Sequence, residues 1–269
     1  MQSYRLSDFS AYFRQIKRSF DRELEAGIPD TYPYPVAHCE ICSWKDACEA
    51  RWKTDDHLSL VAGIQRRQVE FLEAEGITTL AGLAQTKNEV EGIRPETLLK
   101  LRSQAALQLE GRGGHPRWEL LPPEDGGGFE RLPTPSEGDL FFDFEGDPLY
   151  GERGLEYLFG YVTVDEDEPT FEALWGRDYA EEKSAFEQFI DFVNARRTKY
   201  PDLHIYHYAS YEVTAIKRLA GWHATRELEV DQLLRDKVFV DLYKVVKEAM
   251  RISRPSYSIK EVETFYREA

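Results

Sequence analysis

The sequence has few basic residues, few cysteines and no long apolar run. Its 269 residues include 34 Lys and Arg against 49 Asp and Glu, which gives a formal net charge of −15. A surface this acidic does not attract phosphate backbones over long range, which excludes a histone-like or polybasic nucleic-acid binder. No apolar run approaches the roughly 18 to 20 residues that span a bilayer, and the first five residues lead into no signal-peptide core. These absences predict a soluble, cytoplasmic protein with no membrane partner.

The composition is otherwise that of a folded protein. Hydrophobic residues make up 42% of the chain and aromatic residues 13%. Enough apolar surface is therefore available for a core, and disorder of the whole chain is excluded. The length is compatible with one large domain or two small ones.

The only three cysteines, Cys39, Cys42 and Cys48, fall within ten residues. An odd number cannot close a disulfide framework, so the clustering favours metal or redox use over disulfides. Three interpretations stay open on the spacing alone. The thiols are buried structural residues, or they bind Zn²⁺ together with His38 or His57, or they bind an iron-sulfur cluster, which needs a fourth thiolate.

The surrounding sequence, from Tyr32-Pro33-Tyr34-Pro35 through the cysteines to Asp55-Asp56-His57, resembles the end of a RecB-family nuclease domain. In that family an upstream cysteine completes a 4Fe-4S cluster, and the catalytic core also lies upstream. The resemblance therefore implies that the chain is an internal fragment of a larger nuclease and helicase polypeptide. It further implies that the apolar residues spaced by three and four from Leu6 to Phe20 form a helix that packs against the missing core.

The pattern predicts four segments. Residues 1–62 are the nuclease remnant with the Cys cluster, and residues 63–110 are a helical connector that is similar to a helix-hairpin-helix. Its first helix is expected to be capped by Gly76, and the next to begin after Thr78. Residues 111–136 are dense in Gly and Pro, which predicts a linker without regular structure. Residues 137–269 form the second domain.

Strand-like and helix-like stretches alternate in this second domain. Three strands are expected at 139–145, 157–163 and 170–175, followed by a helix at 180–197 and further strand-helix units. This order predicts an α/β sheet of ribonuclease H type, preceded by the small all-α region that carries the Cys cluster.

Acidic side chains accompany the predicted strands. Asp143 and Glu145 lie on one strand, where side chains alternate with period two, so both carboxylates point to the same face. Charges on an apolar strand are costly unless a cation or a partner compensates them. Glu212 follows another strand, and Asp241 a third. Hard oxygen ligands of this kind suit Mg²⁺ or Mn²⁺, and the predicted metal ligands are Asp143, Glu145 and Glu212.

The motifs Phe142-Asp143-Phe144-Glu145, His207 to Glu212 and Val240-Asp241-Leu242 are similar to those of the DEDD 3′-5′ exonucleases of the ribonuclease H-like superfamily. The resemblance implies a metal-dependent nuclease that acts on DNA or RNA, with Asp143, Glu145, Glu212 and Asp241 as catalytic residues. Two departures from the motif are visible. Glu212 replaces an Asp, and the family's last acid lies in a motif that would follow Ala269.

Two other functions stay open at this point. The chain is a catalytically inactive module that holds a nucleic-acid-processing assembly together, or it is an interaction protein stabilised by Zn²⁺. The first alternative is favoured by the two departures from the exonuclease motif. The second predicts bound Zn²⁺ and no dependence on Mg²⁺.

Overall fold

The computed structural model describes residues 5–27, 31–114, 116–165 and 168–267. The chain forms two compact units that divide between Asp55 and Asp56. Within the described ranges, no helix is both long enough and apolar enough to cross a membrane.

The first unit is helical. It contains helix α1 (Leu6–Glu25), a 3-10 helix (Ala37–Ile41) and helix α2 (Lys45–Thr54). The apolar stripe expected from the spacing is present on α1, but its large side chains are 50–89% exposed. Trp52 on α2 is buried, and its indole N–H donates to the carbonyl of Pro33 at 2.7 Å.

The second unit begins with three helices: α3 (Arg66–Ala74), α4 (Leu80–Gln85) and α5 (Pro95–Glu110). Gly76 follows α3 with a φ of 76°, the left-handed conformation that glycine adopts without strain. The cap of α4 is Thr79 and not Thr78. Its hydroxyl accepts a hydrogen bond from the amide of Gly82 at 2.9 Å, because only the N-cap position aims a side chain at the third amide of the helix.

The segment expected to lack regular structure contains a short strand, β1 (Trp118–Leu120), and a 3-10 helix (Gly128–Arg131). Strand β1 pairs antiparallel with β7 (Met250–Ile252). The prediction for this segment was wrong at these residues because the partner strand lies about 130 residues away, and local composition carries no record of such a pairing.

The central sheet has five strands in the order β4-β3-β2-β5-β6. Their bounds are Leu140–Asp147 for β2, Leu155–Asp165 for β3, Glu168–Trp175 for β4, Ile205–His207 for β5 and Phe239–Asp241 for β6. Strands β2, β3 and β4 are antiparallel neighbours, whereas β5 and β6 run parallel to β2. The expected α/β architecture of three antiparallel strands followed by strand-helix units is present.

In the described part of the unit, five further α-helices follow. They are α6 (Tyr179–Lys199), α7 (Tyr211–His223), α8 (Glu227–Arg235), α9 (Leu242–Ala249) and α10 (Ile259–Val262). Asp178 is the N-cap of helix α6, and its carboxylate accepts from the amides of Ala180 and Glu181 at 2.9 Å each. Acidic residues occupy its first turn and basic residues its last, which complements the helix dipole.

The core lies on one face of the sheet. Leu140, Phe142 and Phe144 of β2 are buried there with side chains of α6, α7 and α8. The ring of Phe142 stacks on Phe189 of α6, with centroids 4.1 Å apart. The alternating residues of β2 are exposed on the opposite face, so this one strand carries both the core and the acidic motif.

Candidate functional site

The exposed face of β2 carries two of the expected carboxylates. Phe141, Asp143 and Glu145 alternate with the buried residues of the strand and share this face. Phe141 stacks on Tyr206 of the neighbouring strand β5, with ring centroids 5.3 Å apart. The aromatic pair thus lies two residues before Asp143, and beyond it β2 continues past the point where its pairing with β5 ends.

The third carboxylate lies on α7, the helix that follows β5. Glu212 is in the first turn of α7 and is buried, with 3% of its surface exposed. Its Oε2 atom lies 3.2 Å from Nδ1 of His207, the last residue of β5 and itself buried. A strand-to-helix junction therefore fixes this carboxylate through a neighbouring imidazole.

The three carboxylates are electrostatically connected. Burial, the charge of Glu212 and a side-chain hydrogen bond to Glu212 raise the pKa of Asp143 above its ordinary value, and Glu145 contributes a smaller repulsion. The amide of Phe144 donates to Asp143 at 3.0 Å and opposes the shift. The fold has therefore brought together like charges that favour a proton or a cation between them.

Asp241 has a different environment from the other three acids. It is the last residue of β6 and lies opposite His207, the last residue of the parallel strand β5. Its Oδ1 atom accepts from the amides of Tyr243 at 3.0 Å and Ala209 at 3.1 Å, so it caps α9 and holds the turn before α7. The structure gives Asp241 these backbone partners, and its catalytic role stays a prediction.

The three cysteines lie in the first unit. Cys39 is in the 3-10 helix, Cys42 follows that helix and Cys48 is in α2. All three are partly buried, none forms a disulfide, and the Sγ atom of Cys39 accepts from the amide of Val36 at 3.4 Å. In the part of the chain that the structure describes, no group of three or more His, Cys, Asp or Glu side chains is arranged to hold a metal ion. The three thiols are therefore not arranged as a metal-binding group in this structure.

A polar network around the buried carboxylate of Glu156, beside the site, was not predicted from the sequence. The phenol of Tyr211, next to Glu212, donates to the carboxylate of Glu156 at 2.8 and 2.9 Å, and Arg218 also bonds Glu156. Burial and the hydrogen bond to Glu156 raise the pKa of Tyr211 to about 12. The network fastens α7 to β3. The one signal in the sequence was the spacing of Tyr211, Arg218 and Trp222 by seven and four residues, which places these side chains on one face of α7.

The same network lines a small cavity of about 180 Å³ near the end of β2. Its second acid, Glu182 on α6, is fully buried and accepts from the amide of Glu156 at 2.7 Å. The ring of His223 lies 2.8 Å from the other oxygen of Glu182. Hydrogen bonds of Glu156 and Glu182 thus connect helices α6 and α7 to strand β3.

Comparison with known families identifies the sheet-forming part of the chain. Residues 140–268 match the family model of the RNase H superfamily, so this segment is similar to the domains of that superfamily. The mixed five-stranded sheet agrees with that assignment, and the class of activity that it indicates is hydrolysis of nucleic acid. No curated protein and no solved structure matches the chain significantly.

RNase H-like domains commonly use Mg²⁺ or Mn²⁺, and the donor chemistry of the site is compatible with either ion. Asp143, Glu145 and Glu212 offer only carboxylate oxygens, the ligands that these hard cations prefer. Asp143 and Glu212 repel each other, and a cation would remove that repulsion. Donor type and charge therefore fit, while the carboxylates of the described residues do not converge as a group of three around one point.

Proposed function

We propose that the RNase H superfamily domain is a metal-dependent nuclease that hydrolyses phosphodiester bonds of DNA or RNA in the 3′-5′ direction. The observation that carries the proposal is the contact between Asp143 of β2 and Glu212 of α7, with Glu145 on the same face of the strand. Acids from a strand and from a helix thus meet within the segment that matches the family model.

The site residues have distinct roles in this proposal. Asp143, Glu145 and Glu212 hold Mg²⁺ or Mn²⁺, which would supply charge neutralisation at the phosphate and activation of the attacking water. His207 holds the Glu212 carboxylate in place through its Nδ1 atom. Asp241 orients the turn that carries residues 207 to 212 by accepting the Ala209 amide.

We also retain, as part of this proposal, the domain division and the family resemblance predicted from the sequence. They are the division into residues 1–62, 63–110, 111–136 and 137–269, and the RecB-family resemblance of the first of these with its parent polypeptide. The family match covers 140–268 and does not extend to the cysteines. Zn²⁺ or a 4Fe-4S cluster at Cys39, Cys42 and Cys48 would need a further ligand and a rearrangement of the three thiols.

A second candidate function is a catalytically inactive module that binds nucleic acid. It is favoured by the engagement of Glu212 with both His207 and Asp143 and by the lack of a converged donor group among the described residues. In this case the carboxylates would stabilise the fold through their hydrogen bonds, and no divalent ion would be required.

Calorimetry of Mn²⁺ or Mg²⁺ binding separates the two candidates. The test compares the wild type with an Asp143→Ala, Glu145→Ala double variant and with Glu172→Ala, which removes an exposed acid of β4. Binding by the wild type and by Glu172→Ala, with loss in the double variant, supports the nuclease. Equal binding by all three proteins, or by none, contradicts it.

Hydrolysis is then measured on single-stranded oligonucleotides labelled at the 3′ or the 5′ end, with Mn²⁺, Mg²⁺ or EDTA. Shortening from the 3′ end that EDTA and Asp143→Asn abolish is the expected result. Cleavage that persists with EDTA, or an Asp143→Asn variant that is as active as the wild type, would refute the assigned site.

A further inference from the structure

The charges of the second unit are unevenly distributed along the chain. Residues 140–175 include 10 acidic residues and 1 basic residue, whereas residues 237–267 include 4 acidic and 7 basic residues. The first range contains β2, β3 and β4, and the second contains β6 and α9. A polyanion that reaches Asp143 is therefore repelled on the β4 side of the sheet and attracted on the β6 side.

Helix α9 presents the basic residues next to the site. Lys244 and Lys247 are exposed and lie one turn apart. The ammonium of Lys247 is 3.3 Å from the phenol oxygen of Tyr243 and 5.3 Å from its ring centroid, and it forms no ion pair with a described carboxylate. Lys244 is 3.7 Å from Asp241, which connects the helix to the end of the sheet.

Aromatic rings lie both beside α9 and on the carboxylate face. Tyr208 directly follows β5, and its ring meets that of Tyr243 edge to face, with centroids 5.8 Å apart. The Tyr208 hydroxyl donates to the carbonyl of Tyr257, which fixes the ring in place. Phe141, which is 47% exposed, lies on the carboxylate face itself. Two tyrosine rings and the Lys247 ammonium group thus lie side by side at α9, and a further exposed ring lies on the carboxylate face.

We propose that the α9 surface, defined as Tyr208, Tyr243, Lys244 and Lys247, binds single-stranded nucleic acid and leads it to Asp143. Ammonium groups contact the backbone phosphates, while the tyrosine rings stack on bases. The bases of a duplex are already stacked on one another and paired, so a duplex cannot use the rings. The delivery of a strand to Asp143 rests on the proposed nuclease function. Binding of a strand to the α9 surface does not require catalysis.

The test measures fluorescence anisotropy of labelled oligonucleotides of about ten nucleotides. Single-stranded DNA, single-stranded RNA and a DNA duplex are compared in EDTA, from about 50 to 200 mM salt. Because EDTA prevents metal-dependent hydrolysis, the measurement reports binding alone. The two single strands distinguish DNA from RNA, since a preference for RNA would indicate contacts to the 2′-hydroxyl.

Three variants separate charge from stacking. The double variant Lys244→Ala, Lys247→Ala should bind single strands about tenfold more weakly than the wild type at low salt. The slope of log affinity against log salt should fall by about 1.4, or about 0.7 for each phosphate contact. Tyr243→Leu should weaken binding about fivefold or more with an unchanged slope. Lys183→Ala on α6 should bind as the wild type does, and circular dichroism verifies that each variant is folded.

Wild-type affinity in the double lysine variant, duplex binding as tight as single-strand binding, or no binding by the wild type would each overturn the proposal. The outcomes are distinguishable from failure of the nuclease function. A wild type that binds single strands through these residues but hydrolyses none supports the α9 surface and refutes the enzyme. If the wild type hydrolyses nucleic acid but the double lysine variant binds it as tightly as the wild type does, the nuclease function is supported and the α9 surface is refuted.

Discussion

Replacing Asp143 by Asn should stabilise the metal-free protein and at the same time abolish its stabilisation by Mn²⁺ or Mg²⁺. In the structure, the Asp143 carboxylate is partly desolvated and faces the charge of Glu212, which raises its pKa. Asn keeps the shape and the hydrogen-bonding capacity of the side chain but carries no charge. A residue retained for packing would instead lose stability on this substitution.

The expected gain is modest. Asp143 is more than a third exposed, so water screens the repulsion, and we expect about 0.5–1 kcal/mol in the free energy of unfolding. For a chain of this length that corresponds to a rise of about 1–4 °C in Tm. By contrast, an ion at about 100 times its Kd stabilises the wild type by about 2.7 kcal/mol.

The gain should also depend on pH with a defined sign. A carboxyl whose pKa is higher in the folded than in the unfolded protein destabilises the fold when it is ionised. The cost is therefore complete above the folded-state pKa and absent below the unfolded-state value of 3.8. The variant should exceed the wild type in stability near neutral pH, and the two should converge as the pH falls towards about 3.

The assay is thermal unfolding followed by circular dichroism, with and without the ion, for the wild type, Asp143→Asn and the matched control Glu172→Gln. The control should respond to the ion as the wild type does. A metal-free Asp143→Asn variant that is less stable than the wild type would refute the argument from like charges. An equal metal-dependent shift in both proteins would place the ion elsewhere.

Two further predictions concern the polar contacts that frame the site. Glu182→Ala should lower the free energy of unfolding by about 3–5 kcal/mol in urea denaturation, because it strips the Glu156 amide and the His223 ring of a buried acceptor. Glu182→Gln should cost less than half as much, and equal losses would contradict the hydrogen-bonding account. Glu248→Gln should cost about 0.5 kcal/mol at pH 7, because Arg131 lowers the pKa of Glu248 and their ion pair is largely exposed. This cost should begin to fall as the pH drops below the unfolded-state pKa of about 4.5 and vanish below the lower folded-state pKa, and a difference that does not change with acidification would show that the ion pair is not its cause.

Local patterning was sufficient for most of the sheet and for two site residues. The sequence Leu140-Phe141-Phe142-Asp143-Phe144-Glu145 alternates with period two, which predicts both the strand and the shared face of Asp143 and Glu145. Helix α6 was predictable in the same way. Both predictions depend on side-chain directions within a single element, which the backbone geometry imposes wherever that element forms.

Helix α8 (Glu227–Arg235) was not predicted. Its N-cap residue, Arg226, has a φ of 53° and makes no capping hydrogen bond with its side chain. The usual signal for a helix start is therefore missing. The guanidinium of Arg226 instead bonds both carboxylate oxygens of Asp191 on α6 at 2.7 Å each. A contact across 35 residues holds this helix start, and no local pattern records it.

The sequence by itself determined which acids are present and on which elements they lie, because alternation and capping are properties of neighbouring residues. Only the tertiary structure decided that Glu212 meets Asp143 and that His207 holds Glu212, while Asp241 turns towards backbone amides. These contacts depend on the order of the strands in the sheet. Strand order is set by packing between distant segments, since the gain from burying a shared apolar face exceeds any preference of the separate strands.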